Sequence, residues 1–297
     1  MGQKPIVVFP SDYFSNNTVD GEYMPEHNAA LGTGLFDCAL FSYKKWEEQG
    51  ILSLNFNGNI LSCGKENPVP AIYRGWMMSP EKYGKFYASL LQKGIRLITN
   101  PQEYKLAHYF PDAYTYLKAD TAKIAIYPLH SKIDVDEIKR TFRRFMVKDY
   151  VKSVKGTKFP AFFDENTTQK QFDEAMELFY SYRGDILSGG ICVKQHFILK
   201  KYGQRSNEWR VFYANGMACE AMPNSGQTEN AARPPQILIE KYKNLPSPYY
   251  CLDYAELETG QWVILESGDG GVSGLPAGQD IPAYYRFLHK CLFANKV

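Results

Sequence analysis

The residues of this chain that could do chemistry fall on apolar, strand-like runs. In Trp262-Val263-Ile264-Leu265-Glu266-Ser267-Gly268-Asp269-Gly270-Gly271 a β-rich run ends in two carboxylates and then breaks into glycines. Acids placed at the lip of a sheet can hold a hard cation, and Mg²⁺ favours one or two carboxylates plus a substrate's phosphates over an all-protein cage. The simpler reading of the same residues is a turn with solvated acids, since Gly and Asp form turns in any case. Asp253 sits within Tyr250-Cys251-Leu252-Asp253-Tyr254. A buried carboxylate there needs a cation or hydrogen-bond donors.

Cations lie on other runs. Phe145 to Lys152 reads as a strand, and its period of two puts Lys148, Tyr150 and Lys152 on one face in the row of Met146. Two ammonium groups beside the glycine-containing loop 153–158 could grip nucleotide phosphates; lysines guarding a sheet edge are the plainer alternative. Glu208 and Arg210 also share a face. A guanidinium suits bidentate phosphate binding, and a cross-strand ion pair is the structural alternative.

The elements that must position these groups alternate between strand and helix. Pro5 to Phe9, Leu40 to Tyr43 and Ala71 to Tyr73 read as strands. Ser79-Pro80-Glu81 offers an N-cap, a first-turn proline and an acid for a helix carrying Tyr83, Phe86, Tyr87, Leu90 and Leu91, stopped by Gly94 before a strand at 95–98. Asn100-Pro101 repeats the start signal for a helix through His108. This first portion has the pattern of a compact α/β domain. Beyond it, Asp134 caps a short helix, and Thr167 or Thr168 opens one that turns Phe172, Ala175, Met176 and Phe179 inward and closes near Gly184. Strands are expected at 191–199 and 208–213, an antiparallel pair at 249–254 and 261–266, and a closing helix at 282–294.

Composition narrows the function classes. The 297 residues are 44% hydrophobic and 22% charged, as in a globular protein of one large or two coupled cores. A formal net charge of +2 is too mild to point to nucleic acid or an anionic membrane. No apolar run approaches the roughly 20 residues that span a bilayer, and the N-terminus lacks a signal-peptide apolar region, so a cytoplasmic location is expected. Cys38, Cys63, Cys192, Cys219, Cys251 and Cys291 are scattered without paired spacing, and the five histidines form no ligand pattern, which argues against a zinc enzyme. Neither G-x-x-x-x-G-K-[ST] nor G-x-G-x-x-G occurs, so a nucleotide site must be built another way.

The order of lysine strand, glycine loop, Glu-x-Arg strand, Asp strand and Glu strand resembles the ATP-grasp superfamily, specifically its clade named for two arginines and one lysine. The likeness covers nearly the whole chain and is most specific at Tyr73-Arg74-Gly75-Trp76-Met77, Lys148-Asp149-Tyr150-Val151-Lys152-Ser153, Glu208-Trp209-Arg210-Val211-Phe212 and Glu266-Ser267-Gly268-Asp269-Gly270. It implies an α/β chain with α+β lobes: a pre-ATP-grasp α/β domain at 1–115 and an ATP-grasp domain at 116–297, with a lid lobe at about 142–200 and a magnesium-binding lobe at about 201–297.

The same resemblance implies roles. Lys148 and Lys152 contact ATP phosphates; Lys194, Gln195, Phe197 and Ile198 belong to the hinge against adenine; Glu208 reaches ribose. Arg210 meets phosphate or acyl phosphate, Arg74 faces substrate, and Asp253 with Glu266 holds Mg²⁺. Gln195 stands where many hinges carry a glutamate. Gly268 stands where an asparagine ligand is common, which leaves Asp269 as the third metal ligand. The implied activity is ligation of a small-molecule or peptide carboxylate to an amine with ATP and Mg²⁺, through an acyl phosphate. A kinase on the same scaffold and an inactive nucleotide-binding module are the alternatives. The substrates and the oligomeric state are left open by the sequence.

Overall fold

Parallel strands need long crossover connections, and the N-terminal third supplies them. The computed structural model describes residues 3–57, 67–154, 156–228 and 230–294. Cys63, and Lys155 of the glycine loop, lie outside the described residues. Strands β1 (Ile6–Pro10), β2 (Asp37–Phe41), β3 (Leu54–Asn57), β4 (Val69–Tyr73) and β5 (Ile95–Leu97) form a sheet in the order β3-β2-β1-β4-β5. All neighbours are parallel except β3, which runs antiparallel to β2.

Helices α1 (Met24–Gly32) and α2 (Tyr43–Gln49) were not legible in the sequence. The first buries Glu26, His27 and Ala30 and the second Trp46, so neither shows an aliphatic stripe. Helix α3 (Pro80–Gln92) begins as its cap predicts, with Ser79 Oγ accepting the Lys82 N–H at 3.2 Å. Tyr83, Phe86 and Leu90 are buried, Leu91 is exposed, and Gly94 ends the turn at a φ of 75°. Helix α4 (Pro101–His108) starts in an Asn100–Glu103 capping box, and α5 (Phe110–Leu117) follows directly.

A second, antiparallel sheet contains β6 (Ile124–Tyr127), β7 (Arg144–Asp149), β8 (Phe163–Asp164) and β9 (Ile191–Gln195) in the order β6-β9-β7-β8. Helices α6 (Val135–Thr141) and α7 (Gln169–Arg183) cover one face, where Phe145, Val147, Ile191 and Val193 pack with Phe172 and Phe179. By alternation Met146, Lys148, Cys192 and Lys194 face the other way. Two strands end earlier than their apolar runs predict. Strand β7 stops at Asp149 because that carboxylate turns the chain, and β9 stops at Gln195 as the chain leaves for the next sheet, where Leu199 bridges Leu257.

After a small hairpin of β10 (Lys201–Tyr202) and β11 (Arg205–Ser206), the third sheet holds β12 (Glu208–Ala214), β13 (Met217–Ala218), β14 (Met222–Pro223), β15 (Tyr249–Glu256) and β16 (Trp262–Asp269). Its order is β13-β12-β15-β16, with β14 also on β12. Val211, Tyr213, Leu252 and Tyr254 pack toward α5 and α8 (Gln236–Lys241). Phe212, Tyr249 and Cys251 pack with Val7, Phe9 and with Tyr284, Tyr285 and Leu288 of α9 (Ile281–Leu292). The C-terminal helix thereby ties this sheet to the first one. Strand β16 runs on to Asp269 instead of ending at Glu266, which places Glu266 inside the sheet. Among the described residues, no helix is long and apolar enough to cross a membrane.

Candidate functional site

Antiparallel pairing of β7 with β9 sets Lys148 opposite Cys192 and Met146 opposite Lys194, so both ammonium groups leave the same face. Both side chains are buried. Phe110, in the first turn of α5, lies under them, its ring centre 3.7 Å from Lys194 Nζ and 5.5 Å from Lys148 Nζ. Those are cation–π distances. Lys148 Nζ donates to Glu266 Oε1 at 3.2 Å, and Lys194 Nζ donates to the carbonyl of Leu265. That carbonyl is available because the β15–β16 register jumps from Tyr254↔Ile264 to Asp253↔Glu266 and skips Leu265. Burial, reinforced by the neighbouring Lys148 charge, lowers the Lys194 ammonium to about 7.

Asp253 and Glu266 are direct register partners. On the other side Asp253 pairs with Arg210 of β12, which grips it with Nε at 2.7 Å and Nη2 at 2.8 Å. Arg210 Nη1 donates to the Gly274 carbonyl at 2.8 Å, and Asn224 Nδ2 lies 3.3 Å from Asp253 Oδ2. Two adjacent carboxylates are thus flanked by two cations across the seam: Lys148, Glu266, Asp253, Arg210.

Arg210, Asp253 and Glu266 line a cavity of about 70 Å³ with Lys152 and His108. Lys152 is exposed and sits off the strand, which corrects the single Lys148-Tyr150-Lys152 row. Its place is set by Asp149, whose Oδ1 accepts the N–H groups of Val151 and Lys152 at 2.7 and 2.6 Å. The other oxygen, Oδ2, takes Arg183 Nε at 2.9 Å and Ser188 N–H at 3.2 Å. His108 is held neutral: burial, then the charges of Lys152 and Lys148, push its imidazole down to about 3.

Asp269 is not brought to this pair. Alternation along β16 sends it to the face opposite Glu266, into a tiny gap beside Tyr73, Tyr83 and Tyr249. Oδ1 accepts the Gly271 N–H at 2.8 Å while Oδ2 is buried without a partner, and burial pushes the carboxyl up to about 7. The expected trio of acids is therefore a pair, and among the described residues no three His, Cys, Asp or Glu converge on a metal position. Position 268 admits only glycine without adjustment, since a Cβ there would meet Ser273 Oγ at 2.5 Å.

Arg74 lies at the end of β4, fully buried. Its Nε and Nη2 hold Glu26 at 2.7 and 2.6 Å, and its Nη1 donates to the Gly270 and Ser273 carbonyls. Tyr285 completes the set by donating to Glu26 Oε2 at 2.8 Å. The guanidinium fastens α1, β4, α9 and the loop after β16 together, and little of it is left for a ligand.

Gln195, Phe197 and Ile198 lie where the chain passes from the second sheet to the third. The Gln195 N–H donates to Lys123 O at 2.9 Å, and Ile198 O accepts the Glu258 N–H at 3.2 Å. The Ile198 side chain is exposed. Glu208 opens β12 on the same face as Arg210 and accepts from Ser206 Oγ.

Sequence reasoning missed Phe110, His108, Asn224, Glu26 and the turn made by Asp149. Only the last carried a local signal, an aspartate followed closely by the N–H groups it captures. The others meet the site from distant segments.

A family model for the ATP-grasp domain, family 3 of the clade named for two arginines and one lysine, matches residues 137–288. Among solved structures, the D-cycloserine synthetase DcsG aligns with a TM-score of 0.59 at 14% identity, over 96% of this chain and 99% of that one. The ATP-grasp ligase PsnB, solved with a minimal precursor, aligns at 0.59 and 9% identity over 98% and 99%. A D-alanine–D-alanine ligase of Bacillus anthracis, solved with ATP, aligns at 0.59 and 12% identity over 98% and 96%. At these identities the likeness shows the fold. No curated protein matches the chain.

Proposed function

This chain belongs to the ATP-grasp domains, in family 3 of the two-arginine, one-lysine clade, and from that premise we propose that it is an ATP-dependent ligase joining a carboxylate to an amine through an acyl phosphate. The observation that carries the reading is the seam between the second and third sheets, where Lys148 pairs with Glu266 and Arg210 with Asp253, and Glu266, Arg210 and Asp253 line one cavity. Such a site is charged in both senses yet balanced. A nucleotide with its metal brings both signs at once, so each pair can exchange its protein partner for a ligand partner.

Asp253 and Glu266 fit Mg²⁺ by donor type, being adjacent carboxylates that face one cavity, and Glu266 is half exposed. When bound, the ion neutralises phosphate charge as the P–O bond breaks. Lys148, Arg210 and Lys152 hold the phosphates and the transferred phosphoryl group. Lys194, Gln195, Phe197, Ile198 and Glu208 receive adenine and ribose where the chain crosses between sheets. The substrate carboxylate attacks the γ-phosphorus and ADP leaves. The amine nitrogen then attacks the acyl carbon, inorganic phosphate leaves, and the amine gives up a proton. In this reading residues 1–115 are the pre-ATP-grasp domain, 116–297 the ATP-grasp domain, and the loop at 153–158 closes over the cleft to keep water from the acyl phosphate.

The test is an ADP-release screen of carboxylates and amines, singly and in pairs, with the products weighed by mass spectrometry. A condensed product formed only when both substrates and Mg²⁺ are present is the expected result. ADP with a phosphorylated product and no need for an amine would replace ligase by kinase.

A further inference from the structure

Beside the charged seam lies a larger cavity of about 470 Å³, lined from α1, from the segment after β4 and from the loop between β16 and α9. Met77, Val272, Ser273 and Gly274 line both spaces, so the two are adjoining compartments. Tyr23, Trp76, Leu275, Pro276 and Ile281 give the larger one apolar walls, with the Tyr23 and Trp76 rings edge to face at 5.4 Å. Its volume suits a ligand with a ring or a branched aliphatic body.

Its charge is one-sided. The charged residues among its walls are Glu22, Glu26 and Arg74. Arg74 and Glu26 are a buried bidentate pair with their remaining bonds made to carbonyls and to Tyr285, and they cancel. Glu22 is exposed at the rim and has no ion pair among the described residues. The small compartment therefore carries both signs, balanced in ion pairs, and the large one a single carboxylate outside an ion pair among the described residues. A carboxylate or phosphate entering the large cavity meets no available cation, whereas an ammonium group meets Glu22.

We propose that the large cavity is the amine subsite, and that its ligand is a primary amine with an apolar or aromatic body and no anionic group. The assignment rests on the ligase reading for its place in the reaction. The body stacks on Trp76 and Tyr23, and Glu22 receives the ammonium group as it enters.

Calorimetric titration of the full chain with phenethylamine and with 3-phenylpropionate tests this, because the two share a body and differ in charge. Phenethylamine is expected to bind about fivefold tighter or more, with the preference lost in Glu22→Gln and reversed in Glu22→Lys. Equal affinity, preference for the carboxylate, or an amine preference that survives Glu22→Gln would overturn the assignment. ADP with Mg²⁺ is titrated separately into the unaltered protein. Binding of ADP without an amine preference removes the subsite and leaves the nucleotide cleft standing; absence of ADP binding removes the ligase reading itself.

Discussion

Lys148 on β7 and Glu266 on β16 meet at 3.2 Å across 118 positions of sequence, one side chain buried and the other 41% exposed. The asymmetry decides what each removal does. Without Lys148, water can hydrate Glu266, so the cost to the fold is small. Lys148→Ala should therefore keep its circular dichroism spectrum and melt within a few degrees of the parent, while ATP turnover falls by about 100-fold or more. Near-normal turnover in a folded variant would remove Lys148 from the phosphate site.

Glu266→Gln keeps the shape and removes a charge that the metal would use. The Mg²⁺ concentration giving half-maximal nucleotide binding should rise by about tenfold or more. Chelation of the metal should silence turnover in the parent. An unchanged Mg²⁺ requirement in the variant would exclude Glu266 as a ligand.

Asp149 is buried, with Arg183 on one oxygen and two backbone N–H groups on the other. Asp149→Ala leaves that guanidinium without its anion and frees the turn before Lys152. Urea unfolding should show a loss of about 3 kcal/mol. Amide exchange should quicken at Val151 and Lys152; protection equal to the parent's there would show that the turn holds without the carboxylate.

Asp269 makes stability depend on pH. Its carboxyl is raised to about 7 by burial, so between the ordinary carboxylate range and pH 7 the folded chain holds a proton that the unfolded chain has released. Stability from this group is present at low pH and is lost as pH rises through 7. Asp269→Asn can still accept the Gly271 N–H and carries no charge. It should melt higher than the parent at pH 8, by roughly 5 °C, with the gap closing toward pH 4. A constant gap across that range would assign the difference to packing.

Arg74 and Glu26 are both buried, and each is the other's counter-charge. Replacing Arg74 with methionine should cost about 3 kcal/mol or more in chemical unfolding, because Glu26 is left as a lone buried anion. Adding Glu26→Gln to it should recover part of that loss. Full additivity of the two changes would contradict a coupled pair.

Much of the scaffold was legible because its signals are local. The caps at Ser79, Asn100, Asp134 and Thr168 each accept an N–H within the first turn of the helix they open. The shared face of Glu208 and Arg210 and the aromatic, apolar run from Tyr249 to Tyr254 mark two strands that do pair antiparallel. Helices α1 and α2 escaped because their buried positions are polar, small or solitary.

The sequence by itself determined that Glu208 and Arg210 share a strand face, and the order of its strand motifs brought Arg210, Asp253 and Glu266 into one argument. A period of two is a property of the backbone and needs no partner. Only the tertiary structure decided the rest. Strand β16 continues past Glu266 because it has β15 to pair with, and that continuation turns Asp269 to the opposite face. Arg74 is consumed by Glu26, 48 positions away, and Phe110 of helix α5 slides beneath two lysines carried by strands β7 and β9. Partners chosen by packing across such separations leave no trace in the spacing of nearby residues.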